Sequence, residues 1–243
     1  MVPVLFSLGP ITVSTFGFFA ALSFIVASFF LWRKLRDDYP EEEILNFTII
    51  LTLGAILGGR IIYLLTAPEI FFQPLKWLAV RSYPGFSLLG ALASGVLILY
   101  FWQKKKSWNF WLVADTLVTA LFWVLVLLGA GLVLSIGEKF SSIFALLSSF
   151  CLVLSFIFVK NYRKFIWYKS GKPGFSACLA LAIFFGGFFL LEIILNRGIY
   201  WERVGVLILA FVCLGFLYRR SERSPREDIR SFVRLCLSLR RKK

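Results

Sequence analysis

The chain has 243 residues, of which 59% are hydrophobic, and its mean hydropathy is +0.83. This composition excludes an ordinary soluble domain and is typical of a multi-pass membrane protein. The formal net charge is +14, but the basic residues stand in short clusters between apolar runs and near the C-terminus, which argues against nucleic acid as a partner and indicates loops that face anionic lipid.

Histidine is absent from the sequence, which removes imidazole bases and imidazole metal ligands. The four cysteines form no CxxC pair, and three of them fall in separate apolar runs. We therefore expect no metal site, no cofactor and no disulfide framework.

Seven apolar runs predict membrane-spanning helices, which need about 17–25 residues each. They cover residues 11–32, 44–66, 85–102, 110–136, 140–159, 175–195 and 204–218, of which the last is short. The fourth run is long, so we expect it to tilt or to be broken at Gly129 or Gly131. The predicted fold class is an all-α membrane protein, a bundle of about seven transmembrane helices within residues 1–220.

The distribution of the 27 Lys and Arg residues predicts the orientation of this bundle. Most of them follow the first, third and fifth runs or lie beyond residue 218. The alternate loops hold only Lys76, Arg81, Lys139, Arg197 and Arg203. Because cytoplasmic loops carry the excess of basic residues, we expect the N-terminus outside and the C-terminus in the cytoplasm.

Two segments outside the runs are predicted to lie on the membrane surface. Residues 68–84 are aromatic and weakly charged, which is typical of an interfacial helix at the outer headgroups. Residues 221–243 begin with a capping box and continue with apolar residues at helical spacing between arginines. This second segment predicts a basic amphipathic cytoplasmic tail, and a solvated tail is the alternative.

Arg60 is the one basic residue inside any of the apolar runs. A charge at membrane depth costs about 2.5–3.5 kcal/mol on insertion scales, so it indicates a functional site. Tyr63 lies on the same helix face, and a guanidinium beside a phenol can hold a phosphate. Gly58 and Gly59 would let a second helix or a lipid approach the backbone closely.

Three acidic residues lie at or near membrane depth, namely Asp115, Glu138 and Glu192. A salt bridge from Arg60 to Glu138 or Glu192 is the alternative to a phosphate site. We interpret Asp115 as a residue of a helix start. Glu192 is expected near the outer interface, where Arg197 can pair with it.

A second polar segment, PGFSLLG at residues 84–90, precedes the third run and contains Ser87 and Gly90. Its Pro-Gly pair predicts a turn that enters the membrane from outside. Ser87 is then placed just below the outer surface, as a candidate lipid contact. Ordinary turn chemistry at the start of a span is the alternative.

The chain resembles the bacterial prolipoprotein diacylglyceryl transferases over about residues 1–120. The similar segments are PVLFSLGP at 3–10, LGGRIIY at 57–63, PGFSLLGA at 84–91, and KSW followed by VAD between 106 and 115. The resemblance implies a bacterial inner-membrane protein whose partners are phosphatidylglycerol and the lipobox cysteine behind a prolipoprotein signal peptide. The lipid-binding residues predicted on this basis are Arg60, Tyr63, Ser87, Gly58, Gly59 and Gly90.

Several residues of the family pattern are replaced in this sequence. Two histidines and a tyrosine of the family fall on Leu89, Ser14 and Phe16. A signature near residues 128–138 retains only its final Gly-Glu pair, which includes Glu138. An arginine of the sixth span falls on Phe188 or Leu190, and an apolar side chain cannot replace a guanidinium.

We therefore predict a degenerate, phospholipid-binding relative of these transferases. The alternative is an active transferase with a rearranged site, in which Arg60 holds the phosphate and Glu138 is the candidate catalytic base. A second alternative, from another functional class, is a lipid or solute transporter or an accessory membrane protein.

Overall fold

The computed structural model describes residues 4–8, 11–66, 85–165, 168, 170–196 and 200–222. In these ranges a short β-hairpin precedes seven α-helices, which confirms the predicted helical membrane bundle. The helices are α1 (Thr15–Leu35), α2 (Glu41–Thr66), α3 (Leu88–Lys106), α4 (Phe110–Ser135), α5 (Lys139–Asn161), α6 (Phe175–Ile194) and α7 (Tyr200–Arg220). A 3-10 turn at Tyr162–Lys164 follows α5.

Five of the helices in the described ranges, α1, α2, α4, α5 and α6, are long and apolar enough to cross a membrane. The protein is therefore a multi-pass membrane protein. The helices α3 and α7 coincide with the third and seventh apolar runs, so a count of seven spans and the orientation remain predictions. The interfacial segment 68–84 lies outside the described residues, as does all of the predicted tail after residue 222.

The first apolar run is not one continuous helix. Its first residues form the strand β2 (Ile11–Ser14), which pairs antiparallel with β1 (Val4–Leu8). The register places Leu8 opposite Ile11, with an irregularity near the start of β1. The prediction of a helix from residue 11 was therefore wrong for these four positions, and the all-α description gains one hairpin.

The helix α1 begins where Ser14 can cap it. Ser14 has extended backbone angles, and its hydroxyl accepts a hydrogen bond from the Gly17 amide at 3.1 Å. This bond satisfies one of the amides that a helix start leaves without an intrahelical partner. The cap separates strand from helix within one uninterrupted apolar sequence.

The helix α4 lies centrally and packs against α1, α5 and α6. It continues without a break through Gly129 and Gly131, so of the two alternatives, a tilt or a break at these glycines, the break does not occur. A Cβ atom added at Gly129 would lie 3.0 Å from Ala145 Cα, and one at Gly131 would lie 2.8 Å from Phe19 Cβ. The two glycines therefore permit close approach of α5 and α1.

One end of the bundle is tied together by charged and aromatic side chains, and we call it the basic end. Here Lys106, at the end of α3, donates to Glu43 Oε1 at 2.7 Å near the start of α2. The Trp108 indole donates to Glu43 Oε2 at 3.3 Å and stacks on Tyr39 with ring centroids 4.3 Å apart. The start of α2, the end of α3 and the start of α4 therefore meet at this end.

Candidate functional site

Arg60 lies late in α2 and is buried, with 7% of its surface exposed. Its Nη1 atom donates a hydrogen bond to the Gly85 carbonyl oxygen at 3.0 Å. The guanidinium carbon lies 5.6 Å from the centroid of the Tyr63 ring and 5.8 Å from that of Phe86. A carbonyl dipole and two aromatic rings therefore stabilise the cation and fix its orientation.

The segment that carries Gly85 is held against α2 by backbone contacts. The Ser87 amide donates to the Gly59 carbonyl oxygen at 2.9 Å, and the Ser87 hydroxyl accepts from the Gly90 amide at 3.3 Å. Ser87 is thus the buried N-cap of α3, which is the turn chemistry that the sequence offered as an alternative. Its cap places the start of α3 beside Arg60.

The predicted lipid-contacting glycines lie in the contact between α2 and α3. A Cβ atom at Gly58 would lie 2.4 Å from Ser94 Oγ, and one at Gly90 would lie 2.5 Å from the Gly58 carbonyl oxygen. At Gly59 the added Cβ would lie 3.2 Å from the Ser87 carbonyl oxygen. The sequence suggested either a second helix or a lipid as the close neighbour of Gly58 and Gly59, and the structure places a second helix, α3, there.

Sequence reasoning missed two residues that contact Arg60, namely Gly85 and Phe86. Gly85 supplies the carbonyl acceptor, and a Cβ at this position would lie 2.1 Å from Tyr63 Cζ. Phe86 supplies the second ring. The Pro-Gly pair at residues 84–85 indicated a turn, but no local pattern indicated that this turn packs on a residue 25 positions earlier.

Glu138 lies in the turn between α4 and α5, after Gly137, whose φ is +70°. It occupies the N-cap position of α5 and is half-buried. Since α4 begins at the basic end, Glu138 lies toward the opposite end, as Arg60 does. Ion pairs at other places in the described residues join Arg36 with Asp37, Lys106 with Glu43 and Lys172 with Glu222. The suggested pair of Arg60 with Glu138 or Glu192 stays a prediction.

Apolar residues occupy most positions at which the resemblance places reactive groups. Leu89 packs against the main hydrophobic core, and Phe188 lies with its ring centroid 6.0 Å from that of Phe144. Leu190 and Phe16 are exposed apolar residues. Ser14 caps α1 as described. These side chains supply neither a cation nor a base.

Asp115 lies on α4, but its carboxylate accepts hydrogen bonds from backbone amides at the start of α6. Its Oδ2 atom accepts from the Gly174 amide at 2.6 Å, and its Oδ1 atom accepts from the Ala177 amide at 2.7 Å. The N-cap of α4 itself is Asn109. Asp115 is therefore a helix-start residue, but the amides that it satisfies belong to α6 and not to its own helix.

Comparison with known proteins places the sequence that builds this site in a family. The family model described as prolipoprotein diacylglyceryl transferase matches residues 3–131, more than half of the chain. This range includes Arg60 and the start of α3, and it ends before Glu138.

Similar curated proteins are phosphatidylglycerol–prolipoprotein diacylglyceryl transferases. That of Thermoanaerobacter sp. (strain X514) is 33% identical over 107 residues, which are 42% of this chain and 41% of the relative. That of Clostridium tetani (strain Massachusetts / E88) is 33% identical over 122 residues, 49% of this chain and 47% of the relative. That of Enterobacter sp. (strain 638) is 31% identical over 118 residues, which are 46% of this chain and 40% of the relative. The chain thus matches less than half the length of these relatives.

Proposed function

The chain belongs to the prolipoprotein diacylglyceryl transferase family, and on this premise we propose that it binds phosphatidylglycerol through Arg60 without transferring the diacylglyceryl group. Its place is the bacterial inner membrane, where the relatives' substrates, phosphatidylglycerol and a prolipoprotein, meet. The observation that carries the proposal is the buried Arg60 guanidinium, oriented by the Gly85 carbonyl and flanked by the rings of Tyr63 and Phe86.

A buried arginine suits a phosphodiester because of its geometry and its permanent charge. The guanidinium presents five N–H donors in one plane, which match phosphate oxygens in a bidentate arrangement. The cost of keeping this cation at membrane depth is offset when an anion binds beside it. Tyr63 lies on the same face of α2 and is a candidate for a further hydrogen bond from its phenol. Together they would hold the phosphate, while the exposed apolar faces of α2 contact the acyl chains.

Transfer requires more than phosphate binding. The acceptor thiol must lose a proton, and the negative charge that develops on the leaving glycerol phosphate must be stabilised. The chain has no histidine, and the positions that the resemblance assigns to the family's tyrosine and arginine hold the apolar residues Phe16 and Phe188 or Leu190. Binding without turnover follows from this combination.

A second candidate function is an active transferase with a rearranged site. It is favoured by the location of Glu138, a half-buried carboxylate in the α4–α5 turn, toward the same end of the bundle as Arg60. In that case Glu138 would accept the thiol proton. A transport or accessory role gains no specific support from the described residues.

The Arg60→Gln variant tests the binding proposal. We expect its affinity for phosphatidylglycerol to fall about tenfold or more, because a charge-assisted bidentate contact is lost. Titration of the purified protein with phosphatidylglycerol, followed by native mass spectrometry, measures this affinity. The Arg60→Lys variant keeps the charge but loses the planar fork, and we expect an intermediate affinity.

The matched control is Arg36→Gln, which removes one arginine from the exposed end of α1, where it pairs with Asp37. We expect wild-type affinity at the Arg60 site for this variant. Unchanged phosphatidylglycerol binding by a folded Arg60→Gln protein would remove Arg60 from the lipid site.

A further inference from the structure

A cavity of about 310 Å³ opens at the basic end, far from Arg60. It lies between the start of α4, the segment that precedes α6 and the end of α7, and its lining residues are Trp111, Lys172, Phe216, Arg219, Arg220 and Glu222. We propose that this cavity binds the phosphate headgroup of an anionic phospholipid, as a second lipid site that is independent of the proposed function.

One cation of the cavity is held in place by the fold. Arg220 Nε donates to the Pro173 carbonyl oxygen at 2.6 Å, and the Arg220 guanidinium carbon lies 4.2 Å from the centroid of the Trp111 ring. Its own carbonyl oxygen accepts from the Ser170 hydroxyl at 2.7 Å. An arginine that is already oriented loses little conformational freedom when an anion binds, so the wall is preorganised.

The charge of the lining favours an anion. Lys172, Arg219 and Arg220 face one acidic residue, Glu222, which pairs with Lys172. The N-terminus of α6 lies nearby, but Asp115 already caps it. The attraction for an anion therefore comes from the side chains of the cavity, and basic pockets between transmembrane helices on the cytoplasmic side of a membrane bind lipid headgroups.

An apolar stripe leads from the cavity toward the middle of the membrane. Ile208, Val212 and Phe216 follow one another at helical spacing on α7 and are 55%, 43% and 49% exposed. Arg219 follows Phe216 by three residues on the same helix face, so its cation lies at the end of the apolar stripe. This arrangement fits a ligand with a phosphate at one end and acyl chains at the other, and a free phosphate would leave the stripe uncovered.

The two lipid sites lie at opposite ends of the bundle. Glu43 marks the basic end of α2, and Arg60 is 17 residues further along the helix, a distance of about 25 Å at 1.5 Å per residue. Because the cavity opens at the start of α4, which meets Glu43 through Trp108, it shares no residue with the Arg60 site. The lipids bound at the two sites would belong to opposite leaflets.

The test uses the full chain in the Arg60→Gln background, so that the first site does not contribute. Lys172→Gln and Arg219→Gln are combined, since both side chains are exposed and their loss leaves the bonds of Arg220 intact. Removing each charge is expected to weaken binding of phosphatidylglycerol about fivefold, or about 25-fold for the pair. Native mass spectrometry measures the binding, with phosphatidylcholine of the same acyl chains as the neutral probe.

The matched control combines Lys104→Gln and Lys105→Gln, which removes two charges from the basic end outside the cavity. We expect this control to bind phosphatidylglycerol as well as the Arg60→Gln protein does. The unaltered cavity is expected to bind phosphatidylcholine weakly. Inorganic phosphate at equal concentration is expected not to displace phosphatidylglycerol. An equal loss in the control and cavity variants would overturn the proposal, because surface charge alone would then explain binding. Unchanged binding in the cavity variant, equal binding of phosphatidylcholine, or displacement by inorganic phosphate would overturn it as well.

Discussion

The Asp115→Ala variant is expected to lower the free energy of unfolding by about 3 kcal/mol, the largest single loss among the polar residues considered. The carboxylate accepts hydrogen bonds from the amides of Gly174 and Ala177 at 2.6 and 2.7 Å, and both hydrogen bonds disappear in the variant. The amides would remain at the start of α6 without these acceptors, and the link between α4 and α6 would be lost. Reversible unfolding in mixed micelles measures the change.

Two further variants identify the cause of this loss. Asp115→Asn retains one acceptor oxygen but turns an amide donor toward the second N–H group, so we expect a stability between wild type and Asp115→Ala. Asp37→Ala removes an exposed carboxylate and is expected to leave stability unchanged. A stability of Asp115→Ala equal to that of wild type would show that the two hydrogen bonds contribute nothing net.

The Gly90→Val variant is expected to destabilise the contact between α2 and α3 by about 3 kcal/mol, at the upper end of overpacking effects. The added Cβ would lie 2.5 Å from the Gly58 carbonyl oxygen and 2.7 Å from Ile62 Cβ. Since both helices must separate, the Gly85 carbonyl would move away from Arg60. We therefore expect weaker binding of phosphatidylglycerol together with the lower stability, measured by unfolding and by lipid titration.

Gly95→Val is the matched control on the same helix. Its Cβ would meet only Leu51 Cδ1 at 3.7 Å, which is an ordinary van der Waals distance. We expect near wild-type stability and lipid affinity for this variant. If Gly90→Val behaved like Gly95→Val, the close packing of α2 on α3 would not determine the position of Arg60.

The extent of several helices could be predicted from the sequence because apolar runs and their polar ends are local properties. The fourth run, 110–136, corresponds to α4 (Phe110–Ser135), and the sixth run, 175–195, corresponds to α6 (Phe175–Ile194). The strand Ile11–Ser14 was missed, because hydropathy does not distinguish an apolar strand from the helix that follows it. The Gly-Pro pair at residues 9–10, between two β-branched or aromatic segments, was the available signal.

The contacts of the polar residues could not be predicted, because they join residues far apart in the chain. Arg60 as an isolated charge was evident from the sequence, whereas its acceptor, the Gly85 carbonyl, depends on how α3 returns against α2. Asp115 and Gly174 are 59 residues apart, and no spacing rule connects them. The cavity at the basic end likewise forms only when the ends of α4 and α7 meet.

The segments that are similar to the family pattern and the positions that are replaced lie in different parts of the fold. The similar segments on α2 and at the start of α3 set the backbone contacts around Arg60, and the similar segment in the first turns of α4 lies at the basic end. The replaced positions at Leu89 and Phe188 contribute to hydrophobic packing. Close packing of α2 on α3 around the buried Arg60, together with apolar residues at Leu89 and Phe188, is the basis of the proposed function.

The most direct test of this account is an assay of diacylglyceryl transfer. The purified protein is incubated with phosphatidylglycerol and a lipobox peptide, and the mass of the peptide is followed, with an intact transferase of the family as the positive control. We predict bound phosphatidylglycerol and no peptide that has gained a diacylglyceryl group. A lipidated peptide whose formation is abolished by Glu138→Gln would contradict the account and establish the rearranged active site instead.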